Sequence, residues 1–109
     1  MSEEQPGIHS ERVYLVELTP TAKRLTQPDD FARILSAHLA WVGEQQAAGR
    51  IWATGPVVNE ETNENTGEGI FIIRAAAAEA AAELVSEDPQ VVGGFKTFRV
   101  RPWMLRMVR

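Results

Sequence analysis

The chain contains no cysteine. That removes disulfides, thiol nucleophiles and cysteine-ligated metals, and it fits a reducing compartment. Histidine is nearly absent too: His9 and His38 stand too far apart to suggest a metal pair, and the acidic run Glu60, Glu61, Glu64 has no ligand spacing. No stretch is long and apolar enough to span a membrane. The N-terminal MSEEQPGIHS lacks a basic start followed by an apolar run, so no signal peptide is expected. Basic charge is scarce: 11 Lys and Arg stand against 15 Asp and Glu, a formal net charge of -4, which argues against nucleic acid or an anionic membrane as partner. Arg99, Arg101, Arg106 and Arg109 cluster near the C-terminus, but no accompanying aromatic stacking platform is expected. Gly67 and Gly69 form a lone G-x-G and imply no nucleotide. The expectation is a cytoplasmic protein that needs no metal or organic cofactor.

What is present is one domain. A length of 109 residues supports a single core but not two. Residues 1–10 are polar, contain Pro6 and Gly7, and are expected to be a flexible tail before a domain over 11–109. Residues 12–18 (RVYLVEL) read as a strand. Pro28, Asp29 and Asp30 open a helix, and Gly49 ends it. Residues 51–54 form a second strand running into Gly55-Pro56, and 70–74 (IFIIR) form a third. Between them, 57–69 is a long acidic loop, expected to be mobile and able to act as a lid. The alanine-rich stretch 75–87 is helical by propensity and stops at Asp88-Pro89. Residues 95–101 are a last strand, followed by Pro102-Trp103.

The order βαββαβ predicts an α+β, ferredoxin-like domain: a four-stranded antiparallel sheet with both helices on one face. Such a sheet should alternate apolar and polar residues. Here Val13 to Val16 and Ile70 to Ile73 are unbroken apolar runs. Successive side chains point to opposite faces, so both faces are apolar. Helices cover one; a second copy packed face to face would cover the other, which predicts a homodimer.

Chemistry is expected at His38. At helical spacing Phe31, Leu35, His38, Val42 and Gln45 share one stripe. Two readings are open. His38 is a core histidine bonded to a backbone carbonyl, or it faces a site. Gln45 on the same stripe, and a carboxylate at Asp88 placed against the negative end of the second helix, favour an ion-paired dyad. Asp88 alone could equally be a turn residue. Gly55-Pro56 could bring backbone close to a ligand, and Arg33 could clamp a carboxylate. Trp41 and Trp52 read as core or pocket wall, Trp103 as a packing anchor, and His9 carries no expectation.

The run AHLAWVGEQQAAGRIWATGPV, the later EDP and the closing VRPW resemble the YciI-related (YCII) domain family. The shared elements are His38-Leu39, Gly49, Gly55-Pro56, Asp88-Pro89 and Pro102-Trp103, in that order, within about 12–106. The resemblance implies a ferredoxin-like fold paired as a dimeric α+β barrel, with the family's His-Asp dyad falling on His38 and Asp88. Fold relatives include muconolactone isomerase and small cofactor-free monooxygenases, and dehydrochlorinase-type chemistry on hydroxylated aromatics is associated with the family. The long acidic segment 57–69 departs from the family pattern. The expected function is a small-molecule enzyme of lyase or isomerase type, on hydroxylated aromatic or small carbonyl compounds. In it His38 moves a proton, and Asp88 orients the ring and stabilises it when protonated. Arg33, Gly55 and Pro56 would bind substrate. The alternative is a non-catalytic ligand-binding or dimerisation module, which predicts a closed core around His38.

Overall fold

A computed structural model of the chain describes residues 7–108. The elements are β1 (Ile8–Pro20), α1 (Lys23–Thr26), α2 (Pro28–Ala47), β2 (Ile51–Val58), β3 (Asn65–Ile73), α3 (Ala78–Val85), α4 (Pro89–Val92) and β4 (Lys96–Val108). The four strands form one antiparallel sheet in the order β2-β3-β1-β4. This is the ferredoxin-like α+β arrangement expected from the element order. No helix among the described residues is long and apolar enough to cross a membrane.

The apolar runs explain the sheet's two-sidedness. In β1, Tyr14, Val16 and Leu18 face the helices with Phe71 and Ile73 of β3, and the core closes there around Trp41, Val42, Ala81 and Val85. Val13, with Ile72 and Leu105, forms a smaller cluster, bordered by the partly buried Leu15, Ala53 and Ile70. Trp103 pairs with Val13 in register and is 42% exposed, so within one chain it is not the packing anchor expected of it. Trp52 sits at a register irregularity between Ile51 and Ala53 and is also largely exposed, neither core nor pocket wall. Each edge strand carries a proline, Pro56 in β2 and Pro102 in β4, where a missing N–H is tolerated.

Three boundaries differ from expectation. The tail expected over 1–10 lies mostly outside the described residues, but Ile8, His9 and Ser10 are already strand, paired with Val108, Met107 and Arg106. The last strand does not stop at Arg101; it runs to Val108 because β1 offers that long a partner. The segment 57–69 is not a free loop: β2 and β3 extend into it as a hairpin. Its tip is built locally. Asn59 donates its N–H to Glu64 O at 2.8 Å, and Asn59 Oδ1 accepts from Glu61 N and Thr62 N at 2.9 and 3.2 Å. Asn63 supplies the left-handed residue, with φ 61°, a region asparagine tolerates. The polar composition reflects a hairpin tip that projects past the core, with residues 57–66 exposed.

Helix α2 ends as its sequence requires. Gly49 adopts φ 78°, its N–H reaches Gln46 O, and Arg50 N reaches Gln45 O, each at 3.0 Å; this is the paired bonding that satisfies orphan carbonyls at a helix end. A Cβ at Gly49 would meet nothing within 4 Å, so the cost of a side chain there is backbone strain alone. Gly49→Ala should therefore lower stability by about 1–2 kcal/mol. In urea unfolding this appears as a lower midpoint with an unchanged slope.

Candidate active site

The site begins with a turn. α3 stops at Val85, and Asp88 then caps the short helix α4: its Oδ1 accepts the Gln90 N–H at 2.9 Å, with Pro89 in the first helical position. Its carboxylate thus meets the N–H end of a helix, not the carbonyl end that the sequence suggested. Asp88 is fully buried. The same Oδ1 lies 2.8 Å from His38 Nδ1, projected from α2. Oδ2 is buried with no hydrogen-bond partner among the described residues. Close approach of α2 to α4 depends on Gly93, where a Cβ would lie 2.9 Å from Ile34 Cδ1 and 3.1 Å from Pro89 O.

A carboxylate can only accept, so Nδ1 carries the proton in this contact and Nε2 is left as the free ring nitrogen. The ring lies 6.2 Å from Phe71 centre to centre, and Trp41 meets the same phenyl edge-on at 5.9 Å. Burial thus fixes one side of the imidazole. The other side opens on a cavity of about 560 Å³.

That cavity exists because α2 is buried unevenly. In its second half Trp41, Val42 and Gln45 are buried. Earlier in the helix Leu35 and Leu39 are 37% and 61% exposed, and with Phe31 they line the cavity. The opposite wall is Thr54, Gly55 and Pro56 of β2 against Gly69 and Phe71 of β3. Irregularities in the β2–β3 register bracket this stretch. Beyond His38, the cavity reaches Gln90, Gly67, Glu68 and two cations, Arg24 and Lys96.

Four residues singled out in the sequence therefore meet: His38 and Asp88 as a bonded pair, Gly55 and Pro56 as wall. Arg33 does not join them; its guanidinium is exposed and pairs with Asp30 at 3.1 Å, one turn back on the same helix. Gln45 does not mark the site either, since its Oε1 accepts from Arg50 Nε at 2.6 Å. Arg24 lies far in sequence from Gln90 and Lys96, and none of the three carries a motif. The available sign was Gly67, at φ 94°, where a Cβ would lie 2.8 Å from Arg24 Nη1. Lys96 donates from Nζ to Gly67 O. Burial, then the neighbouring Arg24 charge, lower its pKa from the usual lysine range, with Asp88 and Glu68 opposing. No group of three or more metal-ligating side chains occurs among the described residues.

The chain is an α+β domain of ferredoxin-like type, and the YCII-related domain matches it over residues 13–104; the chain belongs to that family. No curated protein matches it. Among solved structures it is similar to 5-chloro-2-hydroxyhydroquinone dehydrochlorinase (TftG) from Burkholderia phenoliruptrix, in complex with 2,5-dihydroxybenzoquinone. The TM-score is 0.63 at 22% identity, over 84% of this chain and 92% of that one. At that identity the likeness establishes a shared fold.

The lowered Lys96 pKa has a signed consequence. Between its folded and unfolded values the unfolded chain binds more protons, so this group makes stability rise with pH toward the ordinary lysine range. Lys96→Met lacks that contribution. Urea unfolding of both proteins from neutral pH upward should show the difference moving in favour of wild type; a difference independent of pH would contradict it.

Proposed function

We propose that the chain is a cofactor-free, small-molecule enzyme of lyase or isomerase type, with His38 as the proton-transfer group and Asp88 as the residue that orients it. The observation that carries this reading is that His38 lines an open cavity while its Nδ1 is engaged by a buried carboxylate, which leaves Nε2 without a hydrogen-bond partner among the described residues. A merely packed histidine would have closed core around it. The substrate is a hydroxylated aromatic or small carbonyl compound, a class in keeping with the TftG title. Gly55 and Pro56 provide a wall without long side chains, against which a flat molecule can lie.

In this scheme neutral His38 accepts at Nε2 a proton from a hydroxyl or from a carbon beside a carbonyl. The electron pair left behind moves into the conjugated system. Either a leaving group departs with its own electron pair, or the proton is returned to a different carbon. Asp88 stabilises the imidazolium that forms in between. General acid–base catalysis of this kind contributes about 10²–10⁴-fold. A screen of hydroxylated quinones and small keto compounds should find turnover, and His38→Gln should lower kcat by about 10²-fold or more. Asp88→Asn should lower kcat while ¹⁵N shifts of His38 report loss of the Nδ1–H tautomer. Turnover unaffected by His38→Gln would overturn the assignment, and binding without turnover would favour a ligand-binding module.

The working unit we propose is a cytoplasmic homodimer joined through the sheet face that the helices leave uncovered. Support comes from Leu15, Ile70 and Ala53 around the smaller cluster and from Trp103 beside it. Light scattering should give twice the mass of one chain, and Leu15→Glu should shift the population to monomer. A wild-type monomer at micromolar concentration would remove this part of the reading.

A further inference from the structure

Three cations outside the cavity are matched to carboxylates, while Lys23 reaches the Gly93 carbonyl and Arg50 the Gln45 amide. Arg33 pairs with Asp30 at 3.1 Å, Arg74 with Glu11 at 2.8 Å and Arg101 with Glu17 at 3.5 Å. Arg24 and Lys96 both line the His38 cavity, and neither forms an ion pair among the described residues. Both are seated on one glycine. Lys96 Nζ donates to Gly67 O, and the Arg24 guanidinium occupies the space a Gly67 side chain would fill, its Cζ 3.1 Å from that Cβ position. Two cations held side by side and partly out of water repel each other, and the arrangement is relieved when an anion lies between them. The carboxylates within range are already committed or wet. Asp88 spends Oδ1 on His38 and the Gln90 N–H, and although its Oδ2 is unpartnered, neither oxygen bonds Arg24 or Lys96. Glu68 lies on the exposed rim, where water screens it.

We propose that Arg24 and Lys96 form an anion clamp at the Gly67 end of the cavity, so that the compound bound there is a small acid. The acidic group is a carboxylate or an already ionised ring or enol hydroxyl. This rests on the reading of the cavity as the active site, and it narrows that reading from hydroxylated aromatics in general to those that are anionic at neutral pH. The clamp holds the charge while His38, on the same cavity, faces the rest of the molecule. Burial of Lys96 strengthens its attraction for such a group.

Benzoate and benzamide test this, because they share shape and size and only benzoate is charged. Each is titrated into ¹⁵N-labelled wild type and His38→Gln, following the amides of Gly67, Glu68 and Lys96. Benzoate should bind at least about tenfold more tightly than benzamide in both proteins, with the largest shifts at Gly67. Arg24→Gln or Lys96→Met should each shrink the preference, the double variant should abolish it with benzamide affinity unchanged, and Lys96→Arg should retain it. Equal affinities overturn the clamp, as do shifts centred elsewhere, a preference that survives the double substitution, or no binding of benzoate. If a neutral variant does not fold, wild type still decides: raised ionic strength must weaken benzoate and spare benzamide. The two readings fail separately. A charge preference kept in His38→Gln, with no turnover in wild type, removes the chemistry and leaves the clamp. His38-dependent turnover with no charge preference does the reverse.

Discussion

One buried oxygen holds this molecule's working parts together. Asp88 Oδ1 accepts from the imidazole of α2 and from the Gln90 backbone N–H of α4. Helix packing, ring orientation and the turn between α3 and α4 all hang on that atom. A carboxylate with 0% exposure is tolerable only when its charge is met by donors. Removing one partner of a buried charged pair costs about 3–5 kcal/mol. Fold stability and the placement of the reactive ring are therefore the same interaction, and Pro89 reinforces it by pre-setting the first turn of the helix that Asp88 caps.

Around that fixed point the structure divides α2 between two tasks. Its second half is packed by Trp41, Val42 and Gln45 and is ended by Gly49. Its earlier turns, from Phe31 to Leu39, line a cavity, with Leu35 and Leu39 left exposed. His38 stands at the boundary, its side chain 15% exposed. It is rigid enough to be aimed and open enough to be reached. Apolar side chains left uncovered in this way give up burial free energy, on the order of 1.5–3 kcal/mol for each full side chain, part of which an aromatic ligand would restore.

Much of this was legible in the sequence. The element order, the antiparallel sheet, the two-sided apolar strands and the meeting of His38 with Asp88 followed from periodicity, breakers and family resemblance. What escaped was set by tertiary geometry. Arg24 follows β1 and Lys96 opens β4, so nothing local links them. Arg33 looked equally suitable from its place on α2 but points to solvent. The hairpin of β2 and β3 resembles a loop because strands that project past a core need no apolar alternation. In the sequence Asp88-Pro89 marks the end of one helix, and in the fold it is also the start of the next; aspartate followed by proline suits a cap and first turn as well as a stop.

The prolines at the sheet margins have a consequence for assembly. An exposed margin is a row of unused donors and acceptors on which further strands can add without limit. Pro56 interrupts that row on β2 and Pro102 interrupts it on β4, since neither offers an N–H to an incoming strand. A domain with apolar residues on both sides of its sheet is at risk of open-ended polymerisation. Here a proline blunts each lateral route, and the flat side of the sheet is the apolar surface left without such a guard.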